Sequence, residues 1–265
     1  MKLSSESITN AFNLRVSKEL VIQCIVSQHK IKDIAKAIRI YNNNLKIISE
    51  ISKKDKINID GLLINLEDLN SENFIDIETY LISIKGVKEI VLDLSGVDKS
   101  KENRDFILSL INRYDIHIIK GTKDEIFSLI SREKCCGNLA KDKFRDFSRK
   151  NNTILIIEDN NYWITDGYSE FTINVKENLL ADKKLKDILT GLIMLTTACC
   201  DIKEKRVEAI LLAINIFEIS KNIILEKTEI NELEDNIKSS LIQEIVSLNI
   251  EDICRLSNIG YKFKR

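Results

Sequence analysis

Short apolar runs rich in Ile, Leu and Val alternate along the chain with amphipathic stretches, the pattern of repeated β-α-β units. The runs at residues 20–25, 45–48, 62–66, 89–93, 116–119 and 153–157 are predicted as strands. Most lack polar alternation, as expected where helices cover both faces of a strand. Between them, Phe74, Ile77, Leu81 and Ile84 recur at spacings of three and four, and Ile107, Leu110 and Ile111 do the same in the next unit, which predicts helices. After Thr153 the pattern changes. Residues 162–165 and 170–173 flank Asp166-Gly167, a two-residue hairpin signal, so an antiparallel edge is expected on a mainly parallel sheet. From about residue 187 to 249 the chain reads as helix. One stripe comprises Val207, Ile210, Leu211, Ile214 and Phe217; a second comprises Ile230, Leu233, Ile237, Leu241 and Ile245. The expected fold is a single α/β domain over residues 1–265. It has three α/β/α layers, a mostly parallel central sheet with an antiparallel edge, and extra C-terminal helices.

Charge and composition narrow the function classes. Lys and Arg total 40 against 41 Asp and Glu, a net charge of −1, and no basic run exceeds a few residues. That argues against nucleic-acid binding through phosphates. No stretch approaches the ~20 apolar residues of a membrane helix. The first ten residues are polar, unlike a signal peptide, so a cytoplasmic protein without membrane association is expected. Six cysteines stand at 24, 135, 136, 199, 200 and 254 without CxxC spacing, and the two histidines are His29 and His117. Reduced thiols are expected rather than disulfides or a zinc site. The chain has no proline and eight glycines, so Ser, Asn and Asp must make its turns.

In a parallel sheet, ligands bind outside the carboxyl ends of the strands, so the residues just after each strand are the candidates. Asp93 closes a buried run before Ser95-Gly96; it would hold a hydrated Mg²⁺ or a phosphate-linked water, or else cap the helix near Lys101. Lys120-Gly121 precedes a helix start suited to anions, with Glu125 in its first turns either directed at a metal or satisfying the helix dipole. Thr190-Gly191 opens the long apolar helical stretch, where a glycine permits close approach of a phosphate.

Taken in order, these segments resemble the hydroxyethylthiazole kinases, ribokinase-like enzymes of thiamine salvage. The resemblance runs collinearly from about residue 20 to 222. Leu20-Val21-Ile22-Gln23-Cys24-Ile25-Val26-Ser27 is similar to that family's L-V-H-C-I-T-N, and Val91-Leu92-Asp93-Leu94-Ser95-Gly96-Val97 to its V-L-D-P-V-G-V. Ile118 to Ile126, through Lys120-Gly121-Thr122-Lys123-Asp124-Glu125, is similar to I-R-G-N-x-S-E-I. Asp159 to Gly167 is similar to G-x-x-D-Y-V-S-D-G. The resemblance implies transfer of the ATP γ-phosphate to the hydroxyethyl group of a methylthiazole, Mg²⁺, and a homotrimer. Carried over residue by residue, Asp93 and Glu125 match the acids serving nucleotide and metal, and Lys120 stands where the family has a phosphate-facing Arg. Gln23 and Ser27 take the places of a His and an Asn at the substrate end, with Ile48 beside them.

Two departures affect the chemistry. The family's T-G-T-G-C-M-L-S-A anion hole corresponds to Ile188-Leu189-Thr190-Gly191-Leu192-Ile193-Met194-Leu195, so Leu192 or Met194 replaces its Cys, depending on which T-G is matched. The family's nucleotide-site Thr-Gly becomes Glu158-Asp159, two acids facing a polyphosphate. Phosphoryl transfer depends on positioning and charge stabilisation, so a weakened or inactive thiazole kinase is expected. A non-catalytic binding relative and a kinase of another small alcohol are the alternatives.

Overall fold

The computed structural model describes residues 20–39, 45–48, 58–65, 67, 71–84, 86–130, 138–175, 185–200, 205–227, 236–257 and 259–263. Its strands are β1 (Leu20–Ile25), β2 (Leu45–Ile48), β3 (Gly61–Asn65), β4 (Glu89–Asp93), β5 (Ile118–Thr122), β6 (Ile154–Glu158), β7 (Asn161–Thr165), β8 (Ser169–Asn174) and β9 (Ile259–Phe263). The helices are α1 (Gln28–Arg39), α2 (Ser71–Ser83), α3 (Lys101–Arg113), α4 (Lys123–Ile130), α5 (Asn138–Asn151), α6 (Lys186–Ala198), α7 (Arg206–Lys227), α8 (Ile237–Ser247) and α9 (Ile250–Leu256). All nine strands belong to one sheet in the order β2-β1-β3-β4-β5-β6-β7-β8-β9. The pairs β1–β3, β3–β4, β4–β5 and β5–β6 are parallel, and β6–β7 is antiparallel. The expected α/β class and antiparallel edge are therefore present.

Three features of the sheet depart from expectation. The strand read at 116–119 begins at Ile118 and runs on to Thr122, because Gly121 and Thr122 pair with Ile157 and Glu158 of β6. The Asp166-Gly167 turn is a three-residue loop, not two. Asp166 Oδ1 accepts the N–H groups of Tyr168 at 2.9 Å and Ser169 at 2.6 Å, which holds the extra residue. Strand β9 has no counterpart among the predicted strands.

Backbone contacts divide the chain into two compact units. The first contains the described residues within Val21–Ile31, Ile47–Thr172 and Tyr261–Arg265. Every residue of β3 and β4 is buried, and alternate ones share a face. Leu62, Ile64 and Leu92 thereby join Ile77 and Leu81 of α2, Ile107 and Leu110 of α3, and Ile126 of α4 in one apolar core. Phe74 stacks on Phe106 at 4.0 Å between ring centroids, fastening α2 to α3.

The second unit contains the described residues within Lys32–Lys46 and Ile173–Gly260, together with Leu20. Here α7 packs against both α6 and α8. It is buried on all sides from Ala209 to Lys221, not along a single stripe. Polar residues survive inside it by local pairing: Asn215 Nδ2 donates to the Leu211 carbonyl at 2.7 Å, and Lys221 pairs with Glu218 at 2.8 Å. Ile237, Leu241 and Ile245 of α8 are buried as expected, whereas Ile230 and Leu233 lie outside the described residues. No helix among the described residues is long and apolar enough to cross a membrane. Cys24, Cys199, Cys200 and Cys254 are not in disulfides; Cys135 and Cys136 lie outside the described residues.

Gly167 has a φ of +88°, and a Cβ there would stand 2.8 Å from the Arg149 amide nitrogen. The Gly167→Ala variant is expected to lose about 2–4 kcal/mol, backbone strain adding to the clash. Urea unfolding of the variant beside the parent measures it. Burial pushes the Cys24 thiol up to about 12. Cys24 is therefore expected to resist alkylation at pH 8 until the protein unfolds, as peptide mapping after labelling would show.

Candidate active site

The parallel strands β1, β3, β4, β5 and β6 are neighbours, so their carboxyl ends lie along one edge of the sheet. Polar residues collect there. Asn65 ends β3, Asp93 ends β4, Lys120 lies within β5 and Glu158 ends β6. The register pairs Asn65 with Asp93, Asp93 with Lys120, and Thr122 with Glu158. A row of polar side chains on adjacent strands thus follows from pairing alone.

Lys120 is 1% exposed, and its Nζ lies 3.2 Å from Asp93 Oδ2 and 2.9 Å from Glu158 Oε1. Burial pulls a lysine pKa down, but here the two carboxylates outweigh it and hold Lys120 above its ordinary value. It remains an ammonium throughout the neutral range. The other Asp93 oxygen, Oδ1, accepts the Ser95 N–H at 3.1 Å and the Ser95 hydroxyl at 2.7 Å, turning the chain back after β4. Asp93 is not a helix cap: Ser100 caps α3 by accepting the Asn103 N–H at 3.0 Å.

Glu125 belongs to a capping box at the start of α4. Its Oε2 accepts the Thr122 N–H at 2.7 Å and the Thr122 hydroxyl at 2.9 Å, while Thr122 Oγ1 accepts the Glu125 N–H at 3.3 Å. Oε1 accepts the Gly96 N–H at 3.2 Å, so one side chain ties the loop after β4 to the turn after β5. Asp159 is half exposed and pairs with Lys123 at 3.2 Å, a surface contact worth little. The adjacent acids at 158 and 159 therefore take different roles, one sealed against Lys120 and one in solvent.

A second polar group on this edge went unrecognised in the sequence. The Ser27 carbonyl accepts the N–H groups of Lys30 and Ile31, which starts α1 and sets Lys30 in its first turn. Lys30 is buried; it pairs with Glu67 and lies 3.4 Å from Asn65 Oδ1. Asn65 Oδ1 also accepts the Glu67 N–H at 3.1 Å, and Lys99 donates to the Glu67 carbonyl at 2.8 Å. Asn65 is 2% exposed, and its Nδ2 has no hydrogen-bond partner among the described residues. The available signal was Asn65 itself, a polar residue closing an apolar strand, the same signal that singled out Asp93.

Gln23 is buried within β1, Ser27 follows that strand, and Ile48 ends the neighbouring β2. Thr190 and Gly191 lie in the second unit, inside α6 and not at its start. The helix begins at Lys186, and the Leu185 carbonyl already accepts the Ile188 and Leu189 amides. Backbone N–H groups at positions 190 and 191 fall within the helical ladder, past the four that a helix start leaves open. A Cβ on Gly191 would stand 3.0 Å from the Ile34 carbonyl oxygen and from Ala37 Cβ, so its smallness lets α1 and α6 approach. Leu192 and Met194 are fully buried in the same helix. Among the described residues no group of three or more His, Cys, Asp or Glu side chains is arranged to hold a metal.

No family model matches the chain. It is 27% identical over 219 residues to a hydroxyethylthiazole kinase of Clostridium perfringens strain 13, covering 76% of this chain and 81% of that protein. A second such kinase, from strain SM101 of the same species, is 26% identical over 239 residues, covering 84% and 86%. Among solved structures, a hydroxyethylthiazole kinase of Pyrococcus horikoshii superimposes with a TM-score of 0.78 at 17% identity, over 97% of this chain and 99% of that one. A ribokinase-like superfamily protein of Enterococcus faecalis gives 0.59 at 10% identity, over 91% and 95%. The chain is similar to hydroxyethylthiazole kinases and has the fold of ribokinase-like proteins.

Replacing Lys120 by Met leaves two buried carboxylates without their cation and is expected to cost about 3–5 kcal/mol. The loss should shrink as pH falls, because protonation of the stranded acids removes the uncompensated charge. Urea titrations at pH 7.5 and 5 measure both.

Proposed function

We propose that this chain is a hydroxyethylthiazole kinase-like protein, transferring the ATP γ-phosphate to the hydroxyl of a small alcohol, with turnover of 4-methyl-5-(2-hydroxyethyl)thiazole weak or lost. The observation that carries the reading is the buried Asp93–Lys120–Glu158 cluster at the carboxyl ends of adjacent parallel strands. Lys120 supplies the positive charge for a phosphate, though as a point charge without the two-pronged geometry of arginine. Gln23, Ser27 and Ile48 line the acceptor end.

Asp93 and Glu125 suit Mg²⁺ only in its hydrated form. Each carboxylate is anchored to a backbone N–H, of Ser95 and Gly96 respectively, so a metal would be held through its own water ligands and not directly. The ion would neutralise charge on the transferring phosphate. Asp93 at the same time orients Lys120.

Two features support weak turnover. Glu158 competes with any polyphosphate for Lys120, and phosphate binding requires that the 2.9 Å pair open. The amide groups of Thr190 and Gly191 are committed to their helix, and the first turn of that helix already carries Asp187. An anion hole at this helix would need local unwinding. A non-catalytic binding protein on the same scaffold is the second reading, favoured by the same two features.

Calorimetric titration with Mg-ATP tests the proposal. The parent is expected to bind weakly, and Glu158→Thr to bind roughly tenfold more tightly by releasing Lys120, about 1.4 kcal/mol. Any phosphorylation of hydroxyethylthiazole should disappear in Asp93→Ala. Binding of Mg-ATP by neither protein would leave the non-catalytic reading standing.

A further inference from the structure

We propose that Lys30, Asn65 and Glu67 form an acceptor subsite for a carboxylate, so that the alcohol taken by this chain is a small hydroxy acid. The inference rests on the reading above, in which nucleotide and alcohol meet across these strand ends.

Lys30 is an ammonium buried to 6% exposure and so requires an anion, which Glu67 supplies from a side chain that is 39% exposed. Glu67 can therefore swing into water and hand Lys30 to another anion, whereas Lys30 has no such retreat. Asn65 adds the second donor. Its Oδ1 is held by Lys30 and by the Glu67 amide, which fixes the orientation of the amide group. The Nδ2 on the same carbon is buried with no hydrogen-bond partner among the described residues. A buried N–H₂ without an acceptor is a standing deficit that a ligand oxygen would repair. The Lys30 ammonium lies 3.4 Å from Oδ1 of the same amide, and an ammonium and an amide N–H₂ together can serve the two oxygens of one carboxylate.

The placement fits the reaction. Asn65 is the register partner of Asp93, and Asp93 is that of Lys120. Two strand spacings, about 10 Å, separate the carboxylate end from the phosphate end. That span suits a hydroxy acid of roughly four carbons with the phosphoryl group beyond it. The hydroxyl oxygen attacks the γ-phosphorus of ATP and the bond to the β-phosphate oxygen breaks. The hydroxyl proton is lost to solvent, leaving a phosphorylated acid and ADP. An uncharged thiazole would leave Asn65 Nδ2 without an acceptor and Lys30 with Glu67.

Titration of the full-length chain with 4-hydroxybutyrate, its neutral twin 1,4-butanediol, its cationic twin 4-amino-1-butanol and hydroxyethylthiazole tests this. Each ligand is added with and without a non-hydrolysable ATP analogue and Mg²⁺. The acid is expected to bind at least tenfold more tightly than the other three. Glu67→Gln should tighten it several-fold by removing the competitor, and Lys30→Arg should keep the preference. Lys30→Met should abolish it with the thermal melt intact; should that variant fail to fold, Asn65→Asp, which turns the donor into an anion, should abolish it instead. Equal or tighter binding of the diol, the amine or the thiazole overturns the subsite, as does binding of none of the four. Acid preference without nucleotide binding would support the subsite and sink the kinase reading. Nucleotide binding without acid preference would do the reverse.

Discussion

Lys120 is the pivot of the first unit. A lysine in the middle of a parallel sheet is tolerable only if anions reach its Nζ without water, and Asp93 and Glu158 do so from the strands on either side. That requirement constrains the register of three strands at once. A slip of one residue in β4 or β6 would turn the carboxylate to the other face and leave the ammonium unpaired. The charge that serves a phosphate in the proposed reaction is thus also a device for fixing strand register.

The loops at this edge are held by their own side chains. Glu125 closes a capping box on α4 and reaches across to Gly96, Asp93 folds the next turn through Ser95, and Lys99 reaches back to the carbonyl of Glu67. With no proline to stiffen turns, such bonds are how this sequence fixes its loops. The same carboxylates are therefore structural in their own right. Substitution at Asp93 or Glu125 disturbs loop geometry as well as charge, and stability must be measured alongside activity.

The strand ends were legible in the sequence because an ionisable residue closing a buried apolar run marks the point where the chain leaves the core, and Asp93, Lys120 and Glu158 all announce themselves that way. Partners were not legible. Nothing local says that Glu158 folds onto Lys120 while Asp159 turns to solvent, since that depends on which face each residue takes at the end of β6. The capping box was written in Thr122-Lys123-Asp124-Glu125, yet a metal ligand and a capping glutamate share that position. Lys30 and Glu67 stand 37 positions apart, and only the pairing of β1 with β3 brings their loops together. The Thr190-Gly191 pair shows the converse difficulty. A glycine near a helix start reads as a phosphate site, but a helix that begins five residues earlier turns the same glycine into a packing contact with α1.

Charge balance along the strand ends connects these observations. In the first unit one buried lysine faces two acids, and a second faces an acid and an amide oxygen, so each cation already holds an intramolecular anion. Binding any anionic ligand is then an exchange, not the filling of a vacancy, and its strength depends on how readily the resident acid leaves. Glu158 is largely sealed and holds Lys120 closely; Glu67 is more than a third exposed and has water to go to. The two ends of the site differ in that one respect. Exchange is therefore costly at the proposed nucleotide end and cheap at the proposed acceptor end, so the two ends would differ in how readily they take an anion.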